Sequence, residues 1–272
     1  MISKGFGRHG VEGKITQILL GNGQPVALAR LRRFVLLSTL VLSQAFPSHV
    51  SARDPIILST ALGMPFVSEN GEEGFLSLLA EDVFSRAGLK VEIKRVPEER
   101  SLRSANSGFT DGELMRIAGI EQTYPNLIMV PGKTVTMDFV AFVKPSSDIK
   151  LNGWNSLRPY SVGIITGWKI YEQNVKNTKA RIDVVNLYLL LGLLNNGRVD
   201  VIMGSRVSGL YTSQKLGIPI VAVAPPFATH DMHIFMHKRH QKLVPLVAAA
   251  LADVKKDGTY DRLYKQIFTP LR

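Results

Sequence analysis

The chain has 272 residues, 45% of them hydrophobic and 20% charged, with 33 Lys and Arg against 22 Asp and Glu and no cysteine. The lack of cysteine excludes a disulfide framework and a lipoprotein-type anchor, so a core must supply the stability. The net charge of +11 falls to +6 without residues 1–52, which hold six basic residues and one acid. The remaining Lys and Arg are interspersed with acids, which argues against a nucleic-acid partner.

Residues 1–30 are glycine-rich and aperiodic, with Gly5, Gly7, Gly10, Gly21 and Gly23. They read as a disordered leader or as a start assigned too far upstream, and they carry no fold information. Residues 31–52 read as a secretory signal peptide. Arg30, Arg32 and Arg33 form a basic block, residues 34–42 an apolar run, and Val50-Ser51-Ala52 a small-residue triplet, placing cleavage near Ala52. The apolar run is about half of the roughly 20 residues that span a bilayer, so no membrane anchor is expected after cleavage. The pattern points to a periplasmic protein.

Beyond Ala52 the periodicity alternates between strand and helix. Strands are expected over 55–60, 89–96 and 111–117, with helices over 74–87 and 98–106 between them. Gly88 and Gly108 suit the ends of the two helices. The β-branched and aromatic run 134–144 reads as a long strand, and Pro145-Ser146-Ser147-Asp148 as a turn. A second series follows, with strands over 160–165, 182–185, 199–203, 218–223 and 232–236. Its helices run from Thr166-Gly167 to about Asn174, over 188–196 and over 205–216. The terminal helix 243–268 breaks at Asp257-Gly258-Thr259. Strand–helix–strand order argues for parallel sheets covered by helices.

Several marks then occur in a recognisable order: Pro65-Phe66, Gly74-Phe75, Val96-Pro97-Glu98-Glu99-Arg100-Ser101-Leu102, Asp111-Gly112, Thr166-Gly167, Asn196-Gly197-Arg198-Val199-Asp200 and Asp257-Gly258-Thr259-Tyr260. On these the chain resembles the type II periplasmic solute-binding proteins of family 3, the amino-acid-type receptors of ABC importers. The resemblance covers nearly all of 54–270. It implies an α/β fold of two lobes, each a mostly parallel sheet covered by helices, with two crossover strands as hinge. Lobe one would comprise 53–145 plus 231–272, and lobe two 146–230. It further implies a monomer that captures a small polar solute, an amino acid or small organic anion, and delivers it to a membrane ABC permease.

A ligand in such a fold lies outside the carboxyl ends of the strands. Phe66 follows the first strand and is a candidate to stack on it, or else a packed loop aromatic. Arg100 and Arg116 are candidates to hold a carboxylate. Ion pairs of Arg100 with Glu98 or Glu99, and of Arg116 with Asp111 or Glu113, are the alternatives. Thr166 and Gly167 sit where backbone N–H groups and a helix N-terminus favour an anion, with Trp168 as an apolar wall. Amino-acid receptors of the family commonly carry an acid just after the second-lobe strand. Here that strand runs into Gly204-Ser205-Arg206, with Asp200 upstream, so an α-amino acid is not favoured over an organic anion unless Asp231 substitutes.

His230, His233, His237 and His240 would share one face only on a continuous helix, and residues 232–236 read as a strand. No metal site and no cofactor are therefore expected. Gly204-Ser205-Arg206-Val207-Ser208-Gly209 lacks the spacing of a nucleophile elbow, and no phosphate-binding loop occurs. The expectation is a binding protein rather than an enzyme. The alternatives are a dehydratase-like enzyme of the same fold, with Glu69, Glu113 or Asp231 as acid or base, and a sensing module acting through a signalling partner.

Overall fold

A computed structural model describes residues 54–269. The first series comprises β1 (Ile56–Thr60), α1 (Phe75–Arg86), β2 (Val91–Arg95), α2 (Glu98–Ser107), β3 (Gly112–Ile117), β4 (Leu127–Met129) and β5 (Val135–Val143). The second comprises β6 (Ser161–Ile165), α3 (Lys169–Asn174), β7 (Ala180–Val184), α4 (Leu187–Asn195), β8 (Val201–Ser205), α5 (Arg206–Leu216), β9 (Val221–Ala222) and β10 (Ala228–His237). The chain then closes with α6 (Val244–Lys256) and α7 (Thr259–Phe268).

One sheet runs through both lobes in the order β2-β1-β3-β10-β5-β8-β6-β7. In lobe one, β1 pairs in parallel with β2 and β3. In lobe two, β6 pairs in parallel with β7 and β8. The lobes are joined by β5 and β10, which pair antiparallel with each other over Val135–Phe139 and Ala228–Met232. Beyond that segment β10 continues against β3, and β5 against β8. Each crossover strand therefore belongs to both lobes, an arrangement suited to hinge motion.

Local chemistry accounts for the elements. The αL backbone at Gly108, φ 78°, ends α2 where a side chain would be strained. Ser205 caps α5 by accepting a hydrogen bond from the Ser208 N–H at 3.2 Å. Lobe one is held by an aromatic cluster in which Phe75 meets Tyr260, Tyr264 and Phe268 at 5.1 to 5.7 Å. Lobe two packs Phe142, Leu190, Leu191, Leu194 and Ile202 into a separate core.

The short strand β4 was not expected from the sequence, the strands expected over 182–185 and 199–203 lie at Ala180–Val184 and Val201–Ser205, and two further strands differ for a visible reason. The strand expected over 218–223 is reduced to Val221–Ala222, because Pro219 has no N–H to give a ladder. The strand expected over 232–236 begins at Ala228. Its first half carries exposed Thr229, His230 and Asp231, so it lacks an apolar pattern and is held by pairing with β5. Among the described residues no helix is long and apolar enough to cross a membrane.

Candidate functional site

The parallel strands of both lobes end at one crevice. Its lobe-one wall is Ala61, Leu62, Gly63 and Met64 after β1, Glu69, Arg95 at the end of β2, and Glu98 at the start of α2. Its lobe-two wall is Ile165 and Trp168 after β6, Val185 to Tyr188 after β7, and Gly204, Ser205, Ser208 and Thr212 at β8 and α5. The crevice is open to solvent and has a cavity volume of about 220 Å³. A second, narrow hollow of about 40 Å³ meets it at Leu62, Glu98 and Trp168 and reaches back to Met137, Phe139 and Met232 on the crossover strands. Crevices at the carboxyl ends of parallel strands are the usual ligand location in open α/β sheets.

A buried charge network reaches the hollows through Glu98, which lines both, and Arg116, which lines the inner one. Glu113 on β3 is fully buried and accepts hydrogen bonds from Arg116 Nε at 3.0 Å and from the Ser101 hydroxyl. Arg116 also pairs with the Glu98 carboxylate. One guanidinium thus serves two carboxylates. Burial drives the Glu113 carboxyl up to about 7, the attraction of Arg116 only partly offsetting it and the nearby Glu98 adding to it.

The lobes touch beside this network. A Cβ built on Gly167 would lie 2.5 Å from the Glu98 Cβ and 2.6 Å from the Glu99 nitrogen. Lys169 on lobe two donates to Glu99 on lobe one at 2.6 Å and to Glu172 at 2.8 Å. Burial alone would lower the Lys169 ammonium, but the hydrogen bonds to Glu172 and Glu99 hold it above its ordinary value.

The structure brings some of the expected site residues together and separates others. Trp168 lines both hollows, stacked on Tyr171 at 5.6 Å and edge-on to Phe139 at 5.9 Å. Arg116 lines the inner hollow but is engaged by Glu98 and Glu113. The Gly167 N–H is taken by the chain's own Glu172 carboxylate at 2.6 Å, and the Thr166 N–H by the Val184 carbonyl at 2.9 Å. The local anion position is therefore already filled.

Three expected residues lie elsewhere. Phe66 is 2% exposed and packs on Phe268 at 5.5 Å inside lobe one. Arg100 is on the outer face of α2, around a hollow with Arg103, Ser107 and Phe109. Asp231 is exposed on β10 and accepts hydrogen bonds from Lys133 at 3.0 Å and Thr136 at 2.6 Å. Asp200, as expected, faces away: it binds the Ser161 N–H and hydroxyl at the far end of β6.

Sequence reading missed Arg95, Asn186, Ser205, Ser208 and Thr212 on the crevice walls. Arg95 was recoverable as the last residue of an alternating strand before Pro97, the position that faces a strand-end crevice. His230 and His233 have separate surroundings, whereas His237 and His240 both meet Arg239. His230 meets Phe139, His233 meets the Gly132 carbonyl, His237 accepts from the Arg239 N–H, and His240 pairs with Asp111. Among the described residues no group of three or more His, Cys, Asp or Glu is placed to hold a metal ion.

Residues 57–270 match the family model described as bacterial extracellular solute-binding proteins, family 3. An uncharacterized protein of Shewanella oneidensis is 25% identical over 215 residues, covering 73% of this chain and 78% of that one. An ancestral arginine-binding protein bound to arginine superposes with a TM-score of 0.70 at 25% identity, over 80% of this chain and 99% of that one. A histidine kinase sensor domain with similarity to periplasmic binding proteins superposes with a TM-score of 0.71 at 18% identity, over 79% and 95% of the two chains.

Proposed function

The chain belongs to the bacterial extracellular solute-binding proteins, family 3, and from that premise we propose that it is a periplasmic receptor. It captures a small polar solute by hinge closure and hands it to a membrane ABC permease. Residues 31–52, outside the described residues, act as the export signal in this reading. Lobe one comprises 53–145 with 231–272, and lobe two 146–230. The receptor works as a monomer.

The observation that carries the reading is the crevice with walls from different lobes, which share the strands β5 and β10. A solute bridging the walls stabilises the closed arrangement by the contacts it makes only there. Trp168 supplies an apolar wall, Gly167 the point of lobe contact, and Arg116 holds Glu98 in place. Binding rather than turnover is supported by the deep carboxylates, since Glu98 and Glu113 both engage Arg116.

A thermal-shift screen of the purified protein tests this, using amino acids, small organic acids, polyamines and sugars. A true ligand at 100 times its Kd adds about 2.7 kcal/mol and raises Tm. Small-angle scattering with that ligand should show a smaller radius of gyration than without it. A protein that no compound stabilises or compacts would overturn the receptor reading. Osmotic-shock fractionation tests the location, with a mature N-terminus at Arg53 as the expected result.

A further inference from the structure

We propose that the outer face of α2, toward the end of lobe one away from the crevice, docks on an anionic lipid surface. Phe109 enters the interface and the arginines around it meet the lipid phosphates. The contact is peripheral and reversible, and it leaves the solute crevice open.

Phe109 is 82% exposed, the most exposed large hydrophobic side chain among the described residues. Single exposed apolar residues are ordinary on a protein surface, but this one is carried on a fixed turn. The Phe109 and Thr110 N–H groups both donate to the Ser104 carbonyl, at 2.9 and 3.2 Å. The Gly108 carbonyl accepts a hydrogen bond from Arg239. Thr110 and Asp111 are buried, and the Asp111 carboxylate accepts the Ile57 N–H at 2.8 Å. The backbone is pinned on both sides of Phe109, so the exposure of the ring belongs to a built turn and not to a fraying end.

The charge around the ring is positive. Phe109 shares a hollow with Glu99, Arg100, Arg103, Ser104 and Ser107 of α2. Arg100 is exposed, as is Lys238 next to Arg239. Arg103 and Arg239 pair with Glu99 and Asp111, but the cations are the accessible halves of these pairs. Their side chains are 75% and 44% exposed, against 28% and 12% for the carboxylates.

That combination selects the partner. The core of a protein–protein interface needs a contiguous dry apolar patch, and the neighbours of Phe109 in the hollow are charged residues and serines. A lipid surface asks for less: an aromatic ring to immerse at headgroup level and cations for the phosphates outside it. The position of the face agrees with this. α2 starts at Glu98 on the crevice wall and runs ten residues, about 15 Å, to Ser107. Asp111 directly precedes β3, whereas the crevice lies beyond the carboxyl ends of the parallel strands.

Flotation of the purified protein with phosphatidylcholine vesicles, with and without phosphatidylglycerol, tests the proposal. Binding is expected only where phosphatidylglycerol is present. It should be largely lost in 1 M salt, where the screening length is about 3 Å. Phe109→Ala, and separately Arg100→Gln with Arg103→Gln, should each weaken it about ten-fold at unchanged Tm. Arg100→Lys with Arg103→Lys should retain it, and Phe109→Trp should add a blue-shifted emission on these vesicles. No binding, or equal binding to both vesicle types, overturns the proposal. So does binding indifferent to Phe109 and to both arginines, which would place the contact elsewhere, as on the basic and apolar residues 30–42. Capture of poly-L-glutamate in preference to the vesicles would also overturn it and assign the face to an acidic protein. Each of these outcomes leaves the receptor reading standing.

Discussion

Gly167 of lobe two lies directly against Glu98 of lobe one, so closely that an added Cβ would stand 2.5 Å from the Glu98 Cβ. Its φ of 93° is a backbone conformation that L side chains rarely adopt. Position 167 is therefore constrained twice, by conformation and by the partner lobe. The neighbouring Lys169 extends the same contact to Glu99.

Gly167→Ala should hold the lobes apart. Left-handed backbone at a non-glycine costs about 1–2 kcal/mol, and the clash with Glu98 adds to it only when the lobes meet. The expected outcome is ligand affinity weakened at least about ten-fold. Small-angle scattering checks the cause: the variant's radius of gyration should change little when ligand is added, while the wild type contracts.

The Lys169–Glu99 bridge should contribute little by itself. Both side chains are about a quarter exposed, at 24% and 28%. Pairs of this kind are worth about 0–1 kcal/mol. A double-mutant cycle with Lys169→Met and Glu99→Gln, read by urea denaturation, should return a coupling in that range that shrinks in 1 M salt. A coupling of several kcal/mol would show that the bridge, rather than the Gly167 contact, holds the lobes together.

Glu113 should impose a pH dependence on stability. Its folded carboxyl titrates near 7, against an ordinary value of 4.5. In that interval the folded state holds a proton that the unfolded state has released. Stability from this group is therefore greatest below about pH 4.5, falls as pH rises to about 7, and stays level above it. The groups facing Glu113 are Arg116, Ser101 and Ser59, with Glu98 sharing the guanidinium. Glu113→Gln should flatten the slope, a change on the order of 3 kcal/mol at most. Urea denaturation of both proteins at pH 5 and pH 8 measures it. A slope unaltered by the substitution would assign the titration to another group.

Phe66 and Arg100 should separate stability from binding. Phe66 is buried among aromatic rings, and Phe66→Ala should cost about 3–5 kcal/mol of unfolding free energy. The ligand-induced rise in Tm should survive in any fraction that folds. Arg100→Ala, on an exposed outer face, should change neither quantity by more than about 0.5 kcal/mol. A lost ligand response in Arg100→Ala would mean that α2 turns its outer face to the ligand on binding.

Much of the architecture was legible along the chain. The alternation at 89–96, the apolar face of 74–87 and Gly108 shortly after 98–106 are local signals, and these elements formed within a residue or two of them. The crevice at the strand ends followed from the parallel order of the strands. The weaker readings were at 218–223, where Pro219 interrupts an apolar run, and at Thr229-His230-Asp231, where a polar segment becomes a strand only because β5 pairs with it.

The sequence by itself determined the order of the elements and the end of the sheet where the crevice opens, because hydrophobic period, caps and turns act between near neighbours. Only the tertiary structure decided the surroundings of each arginine. Arg116 is engaged by Glu98, 18 residues earlier, and by the fully buried Glu113. Arg100 turns outward with its helix, and Arg95 is left in the crevice with a buried nitrogen that nothing in the described chain satisfies. The Arg116–Glu113 pair lies within β3 and was open to a reading of spacing, but the pair with Glu98 joins side chains from different elements, which spacing along one element does not contain.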